Sequence, residues 1–293
     1  MSSRSRAPLS INLKLILLLF LFLSILLLVI RSGFQSSQPS PVAQTHVSNL
    51  TEEAESACPS LTLPFTPSCT KTPPSLANAL IHYATTNITP QQTLNEISVS
   101  ATILQRKSPC NFLVFGLGHD SLMWTALNHG GRTVFLEEDE AWIHQIQQRL
   151  PSLEAYHVHY DTKVHEADEL MKMGMEEECR AVGDPRFSKC QLALKRFPSE
   201  VYDMEWDLIM VDAPTGYFNE APGRMSAIYT AGLMARNRVE GDTDVFVHDV
   251  DRVVEDKFSM AFLCEGYLRE QQGRIRHFNI PSHRTRQGRP FCP

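Results

Sequence analysis

Short apolar runs alternate with longer amphipathic segments from Cys110 to the end of the chain. The apolar runs predict strands at Phe112–Phe115, Thr133–Leu136, Ala155–Tyr160, Leu208–Val211 and Val245–Val247. The segments between and after them predict helices near Ser121–Leu127, Glu140–Leu150, Lys163–Met173, Arg224–Ala235 and Val254–Leu263. Apolar strands that alternate with helices are typical of a mostly parallel sheet covered on both faces.

The two ends of this region follow other patterns. The C-terminal sequence YLREQQGRIRHFNIP has two extended runs around a turn and predicts a closing antiparallel hairpin. Five βα units with such a hairpin are typical of the methyltransferase version of the nucleotide-binding α/β fold, with seven strands. Two amphipathic helices are predicted before the first strand. One runs through Leu76, Leu80 and Tyr83, and the other begins at Thr89-Pro90 and places Leu94, Ile97, Ala101 and Leu104 on one face.

The N-terminal region has the pattern of a membrane anchor. Residues 15–30 are apolar apart from Ser24, and Arg4, Arg6 and Lys14 precede them. With Leu13 and Lys14 this length reaches the lower end of a membrane-spanning helix, and the basic flank predicts a cytoplasmic N-terminus. The segment after it is rich in Ser, Thr, Pro and Gln. We predict a cytoplasmic tail over 1–12, a signal anchor over 13–30, a luminal stalk over 31–74 and a catalytic domain over 75–293. A cleaved signal peptide is the alternative to the anchor.

The cysteines and the charge restrict the function further. All seven cysteines follow the apolar segment, so in an oxidising lumen Cys58–Cys69 and Cys179–Cys190 are plausible bridges, and the odd count leaves one cysteine over. The net charge of −6 gives no reason to expect nucleic acid as a partner. Arginines are nevertheless concentrated after Leu268, which predicts either a face for a polyanionic polymer or a solvated basic tail. They are Arg269, Arg274, Arg276, Arg284, Arg286 and Arg289.

The first two strands carry the features of a cofactor site. The first ends in Gly116-Leu117-Gly118, and the next ends in an acid, Glu137. This arrangement predicts an adenosine-type cofactor, with glycine backbone close to the ligand and Glu137 accepting hydrogen bonds from both ribose hydroxyls. A nicotinamide enzyme would need a third glycine where this chain has Ser121, which we place among the cofactor-binding residues.

Six segments carry a resemblance to a known family. They are NFLVFGLGHDSLMW, GRTVFLEED, WDLIMVDAP, APGRMSAIYTAGLMAR, DVFVHDVDR and FLCEGYL. From about Pro73 to the end, the chain resembles the plant glucuronoxylan 4-O-methyltransferases, whose relatives include arabinogalactan-directed enzymes and a distant branch needed for xylan deposition. The resemblance implies the class I S-adenosylmethionine-dependent methyltransferase fold, S-adenosylmethionine as methyl donor, residence in the Golgi membrane, and glucuronic acid side chains of xylan as acceptor. Compared with methyltransferases in general, the glycine loop differs at His119-Asp120.

Methyl transfer to a sugar hydroxyl needs a base and a group that binds the uronate. Asp212, His248 and Asp249 follow predicted strands and are the candidate catalytic residues, because ligands collect at the carboxyl edge of such sheets. The same three residues could alternatively hold Mg, Mn or Co. Arg224, at the start of a predicted helix, could bind the uronate carboxylate or lie on the helix surface.

Three functions remain in view. We expect the protein to methylate O-4 of glucuronic acid on xylan and to act together with other enzymes of xylan synthesis. Methylation of arabinogalactan is the alternative within the same class, and a non-catalytic scaffold is the alternative from another class. Gly116, Gly118, Glu137 and Asp212 argue against the scaffold.

Overall fold

A single seven-stranded sheet organises the protein. The computed structural model describes residues 72–285 and 288–293. The strand order across the sheet is β3-β2-β1-β4-β5-β7-β6; β1 to β5 are parallel, and β7 and β6 are antiparallel. The strands are β1 (Asn111–Phe115), β2 (Arg132–Glu137), β3 (Glu154–His157), β4 (Leu208–Val211), β5 (Asp242–Val247), β6 (Leu268–Gln272) and β7 (Ile275–Pro281). The predicted α/β sheet with a closing hairpin is confirmed.

Helices cover both faces of the sheet. They are α1 (Pro74–Thr85), α2 (Leu94–Lys107), α3 (Ser121–Leu127), α4 (Glu140–Arg149), α5 (Ala167–Gly174), α6 (Glu177–Arg180), α7 (Ser199–Asp203), α8 (Met225–Asn237) and α9 (Val253–Phe258). Successive residues of β1 point to opposite faces, so Leu113 and Phe115 join one core and Phe112 and Val114 join the other. This double burial explains why the strands are apolar throughout rather than alternating.

The prediction for the start of α2 was wrong. The helix begins at Leu94, not at Thr89-Pro90, because Thr93 and Glu96 form a capping box. The Thr93 hydroxyl accepts the Glu96 N–H at 3.3 Å, and Glu96 Oε2 accepts the Thr93 N–H at 2.7 Å. Leu94 is consequently in the first turn and 78% exposed, outside the apolar face that we assigned to it.

Other predicted elements also differ in extent or packing. Strand β3 ends at His157 instead of continuing to Tyr160. The last predicted helix is divided into α9 and a π-helical turn at Ser259–Cys264. In α1, Leu80 is 61% exposed and Ala79 makes the buried contact.

Two disulfides close loops in the described part of the chain. Cys179–Cys190 confirms the prediction, and Cys264–Cys292 was not predicted because its cysteines lie 28 residues apart. Cys110 is a free, buried thiol. Cys58 and Cys69 lie outside the described residues.

Loss of the longer bridge should destabilise the domain measurably. Because a cross-link limits the unfolded chain, we expect Cys264→Ser with Cys292→Ser to lower the free energy of unfolding by about 3–4 kcal/mol. The matched pair Cys179→Ser with Cys190→Ser removes a bridge that closes a loop of only 11 residues. Its loss should lower the free energy of unfolding slightly less. Urea denaturation of the full-length variants measures both, and an unchanged midpoint for the first pair would contradict the expectation.

The predicted tail, the anchor and all but the last three residues of the stalk lie outside the described residues. Among the helices of residues 72–285 and 288–293, none has the length and apolar character that crossing a membrane requires. The described residues of the predicted 75–293 domain contain all seven strands.

Candidate active site

The carboxyl edge of the parallel strands collects the residues that the sequence singled out. Phe115 pairs with Leu136 of β2 and Val211 of β4, and Val211 pairs with Val247 of β5. The residues that follow these strands therefore meet at one edge. The structure brings together the glycine loop after β1, Glu137 at the end of β2, Asp212 after β4, and His248-Asp249 after β5.

The glycine loop is held in a fixed conformation by its own side chains and by the next strand. Gly116 has φ +124°, a backbone conformation that favours glycine, and a Cβ there would make a tight contact of 3.2 Å with the Ala213 Cβ. The Gly118 N–H donates to Ser121 Oγ at 2.9 Å, and Ser121 is buried. Ser121 thus braces the loop internally, and its contact with a cofactor stays a prediction.

Two aromatic side chains that the sequence did not indicate fix the outside of this loop. Trp142 Nε1 donates to the Leu117 carbonyl at 2.6 Å, and the Tyr83 hydroxyl donates to the His119 carbonyl at 2.7 Å. Because α4 and α1 supply these donors, the loop backbone is positioned from two sides before any ligand binds.

Glu137 lies at the edge of β2 with its carboxylate turned toward the glycine loop. Its Oε2 accepts the Leu117 N–H at 2.9 Å, and its Oε1 accepts the N–H groups of Glu138 and Asp139. Burial raises the pKa of the Glu137 carboxyl, although these N–H groups oppose that shift. An ionised carboxylate has about four acceptor positions, so three bonds leave capacity for about one more donor.

The neighbouring acid, Glu138, reaches across the same edge. Its Oε1 accepts the Thr215 N–H at 2.8 Å, in the loop after β4. Only one acid at the end of β2, Glu137, was predicted to have a role. The structure shows two, one inside the glycine loop and one that joins β2 to the β4 loop.

Asp212 and His248 form a hydrogen-bonded pair. His248 Nδ1 lies 2.9 Å from Asp212 Oδ1, and Gln92 Nε2 donates to Asp212 Oδ2 at 3.0 Å. Burial alone would raise the pKa of Asp212, but the His248 hydrogen bond and the Arg224 charge outweigh it and hold the pKa below its ordinary value. An ionised Asp212 only accepts, so Nδ1 carries the proton and a neutral His248 keeps its lone pair on Nε2.

The N-terminal end of α2 covers this pair. His248 is 1% exposed and its Nε2 has no hydrogen-bond partner, while Glu96 Oε2 lies 3.9 Å away. Gln92 Oε1 is a second buried polar atom without a partner. Two such atoms at one place are costly, and they indicate a site that accommodates a further polar group.

Arg224 is buried between two carboxylates rather than exposed to a substrate. Its Nη2 lies 2.9 Å from Asp249 Oδ2 and 3.3 Å from Asp212 Oδ1, and its other nitrogens donate to the carbonyls of Pro214 and His248. The predicted contact with a uronate has no support in this geometry, because these partners already engage the guanidinium. The observed role is that of an internal counter-ion.

Asp249 is the centre of an arginine cluster. Its carboxylate contacts Arg224, Arg252 and Arg274 at 2.9, 2.9 and 2.7 Å. Its backbone has φ +60°, a conformation that costs free energy in a non-glycine residue. Three arginines already occupy the Asp249 carboxylate, whereas His248 Nε2 has no hydrogen-bond partner, so the geometry favours His248 over Asp249 as the base.

The same groups offer an incomplete fit to a metal ion. Asp212, His248 and Asp249 place one ligand atom each within 4.8 Å of one another. The Arg224 guanidinium already contacts both carboxylates, and a divalent cation would have to compete with it. We therefore derive no catalytic step through a metal.

A family model described as IRX15/IRX15L/GXM matches residues 95–278, which include every site residue discussed above except Tyr83 and Gln92. The chain belongs to this family. It is 63% identical over 268 residues to the Arabidopsis thaliana protein named glucuronoxylan 4-O-methyltransferase 3, covering 92% of this chain and 90% of that one.

Two further relatives have a lower identity to this chain. Arabinogalactan O-methyltransferase 2 of Arabidopsis thaliana is 51% identical over 231 residues, with 76% of this chain and 79% of that one covered. Protein IRREGULAR XYLEM 15 of the same organism is 41% identical over 227 residues, with 75% and 70% covered. The prediction of a methyltransferase of this family is confirmed.

In this member of the IRX15/IRX15L/GXM family, sequence reasoning missed the contribution of α2. Glu96 Oε1 accepts the Arg274 N–H at 2.8 Å, and a Cβ on Gly273 would lie 2.8 Å from that oxygen. Burial opposes ionisation of Glu96, but the N–H groups of Thr93 and Arg274 lower its pKa to about 2. The capping-box spacing from Thr93 to Glu96 was the available signal, and it would have placed the start of α2 correctly.

Proposed function

We propose that this protein transfers the methyl group of S-adenosylmethionine to O-4 of glucuronic acid side chains on glucuronoxylan. The observation that carries the proposal is the Asp212–His248 pair beside the glycine loop of a methyltransferase-type sheet. The name of the relative that is 63% identical supports the acceptor.

The cofactor-binding part of the proposal depends on the residues around β1 and β2. S-adenosylmethionine would supply a methyl group on a positively charged sulfur. Gly116 and Gly118 would let the loop backbone approach the cofactor, and the remaining acceptor capacity of Glu137 would bind a ribose hydroxyl. The fixed backbone of this loop, held by Trp142 and Tyr83, favours a site formed in advance.

The proton-transfer part depends on His248. Its Nε2 would accept the proton of the sugar hydroxyl as the oxygen attacks, and Asp212 would stabilise the resulting imidazolium. General-base catalysis contributes about 10²–10⁴-fold, while alignment of the reactants supplies about 7–11 kcal/mol. Because His248 is buried, the acceptor hydroxyl reaches Nε2 only when residues that cover it move aside, and Glu96, with Oε2 at 3.9 Å from Nε2, is one neighbour of that atom.

The location and the partners remain predictions. We propose a single-pass type II protein of the Golgi membrane, anchored by residues 13–30, with its catalytic domain in the lumen beside other xylan-synthesis enzymes. The basic residues before the apolar segment and the disulfides Cys179–Cys190 and Cys264–Cys292 support a luminal domain.

Two measurements on the full-length protein test this proposal. Calorimetric titration with S-adenosylmethionine should show binding; a folded protein that binds none would favour a non-catalytic scaffold. Methyl transfer should then be faster to deacetylated glucuronoxylan than to arabinogalactan. The reverse preference would reassign the acceptor to the arabinogalactan class.

The metal alternative has a separate test. Exhaustive chelation followed by the same transfer assay measures dependence on a divalent ion. Full activity after chelation would exclude the ion, whereas loss that Mg, Mn or Co restores would place it in the mechanism.

A further inference from the structure

A cationic cavity lies far from the catalytic residues. It has a volume of about 320 Å³ and lies at the C-terminal end of α8. Its lining includes Arg180, Asn237, His283, Arg284, Arg289 and Phe291. Arg224, which contacts Asp212, immediately precedes α8, and Asn237 is the last residue of this helix. The length of α8 therefore separates the two sites by about 20 Å.

Among the described residues, the arginines of this cavity have no direct ion-pair partner, and Asp184 acts on Arg284 only at a longer range. Within residues 72–285 and 288–293, no carboxylate lies within ion-pair distance of Arg180, Arg284 or Arg289. Arg180 donates to the sulfur atoms of Met175 and Cys292, which are weak acceptors. By contrast, Arg274 and Arg276 of the same arginine-rich C-terminal sequence are paired with acids.

Two buried polar atoms at the cavity have no partner. They are Arg289 Nη1 and His283 Nδ1. His283 is 9% exposed, and its other ring nitrogen lies 3.2 Å from the Tyr267 hydroxyl, so either tautomer leaves Nδ1 unsatisfied. Arg284 donates to the Asn237 carbonyl, a contact that is favourable at the C-terminus of a helix. That contact does not explain the two buried atoms without a partner.

The wall behind the cavity is rigid and adds to the positive charge. Arg236 is fully buried and stacks 4.0 Å from the Phe291 ring centroid, and Phe291 precedes the disulfide-bonded Cys292. The His283 N–H donates to the Arg236 carbonyl at 2.9 Å. The cavity therefore has the fixed donors and the charge that a carboxylate requires.

We propose that this cavity binds a uronate carboxylate of the acidic polysaccharide, on a residue other than the one being methylated. The inference rests on the proposed function, because that function supplies a polymer with repeated carboxylates. A second contact about 20 Å from the reacting centre would hold the chain during successive transfers.

The test compares polymer with short acceptor. The full-length protein, its Arg284→Gln variant and the double variant Arg284→Gln with Arg289→Gln are assayed on glucuronoxylan and on a xylo-oligosaccharide with one glucuronic acid. We expect the KM for the polymer to rise about tenfold in the double variant, with kcat and both constants for the short acceptor unchanged. Arg269→Gln is the matched control, because this exposed arginine has a single hydrogen-bond partner among the described residues, Asn279.

The alternative outcomes are distinct. An unchanged polymer KM would overturn the second site, and equal losses on both acceptors would show that the arginines act through the fold. If the unmodified protein methylates neither acceptor, the proposed function fails instead. Titration with glucuronoxylan and with neutral xylan then tests the proposed carboxylate site independently of methyl transfer. Tighter binding of the acidic polymer that is lost in the double variant supports the site. Equal binding of the two polymers overturns it.

Discussion

Replacing His248 with glutamine is expected to reduce the rate of methyl transfer by about 10²–10⁴-fold while leaving S-adenosylmethionine binding intact. The side chain bonds Asp212 through Nδ1, and its Nε2 has no hydrogen-bond partner. Glutamine retains polarity but cannot accept a proton near neutral pH. Single-turnover rates and calorimetric titration with the cofactor measure the two effects separately.

Asp212→Asn provides a companion measurement. Asparagine preserves shape but offers an amide that can donate, so the favoured His248 tautomer is no longer fixed. We expect a loss as large as that of His248→Gln and little further loss when both are combined, because the residues act as a unit. Additive losses would mean that each residue acts independently.

The chain contains a matched control for this experiment. His277 Nε2 lies 2.7 Å from Asp244 Oδ1, both residues are buried, and Asp244 lies within β5, three residues before its last residue Val247. His277→Gln removes a buried histidine–aspartate pair of the same kind, and it should lower stability without the selective loss of transfer. Near-normal turnover of the His248 variant would remove His248 from the mechanism.

Replacing Arg224 with methionine is expected to destabilise the whole domain by about 3–5 kcal/mol. The change would remove the cation that Asp212 and Asp249 share. Asp249 would keep Arg252 and Arg274, but Asp212 would keep only its hydrogen bonds to His248 and Gln92. A half-buried carboxylate that loses its only arginine costs more than an exposed pair, so a large fraction of the domain stability would be lost. Chemical denaturation of the full-length protein gives the free energy of unfolding.

Arg252→Gln is the control for that measurement. Arg252 contacts the same carboxylate at 2.9 Å, but its side chain is 30% exposed. Water can replace part of that contact, so we expect a loss of no more than about 1 kcal/mol. If Arg224→Met instead keeps full stability and raises only the KM for acidic acceptors, the substrate-binding role first assigned to Arg224 would be restored.

Strand positions and the edge at which the site lies could be predicted from the sequence because both follow local patterns. Apolar runs bounded by turns fixed β4 to the residue and β1 to within one residue. Parallel strands place their carboxyl ends together, which brought Gly116, Glu137, Asp212 and His248 to one edge.

The roles within that edge could not be predicted in the same way. In the sequence, Asp212, His248 and Asp249 are all candidate catalytic residues, because each follows a predicted strand and has an acidic or basic side chain. In the structure, Asp249 is shared by three arginines, whereas His248 keeps a free nitrogen. Ser121 and Arg224 were assigned to ligands; the structure shows their internal contacts, and their contacts with ligands stay predictions.

The sequence by itself determined the sheet, its closing hairpin, the cofactor-type loop and the short-range Cys179–Cys190 bridge. Tertiary structure alone decided the partners of the polar side chains. Gln92 bonds Asp212 across 120 residues, and Glu96 bonds Arg274 across 178. The physical reason is the separation along the chain of the residues that determine each property. Hydrophobic periodicity is set by neighbours along the chain, whereas the protonation and hydrogen bonding of a buried group depend on whatever the fold packs against it.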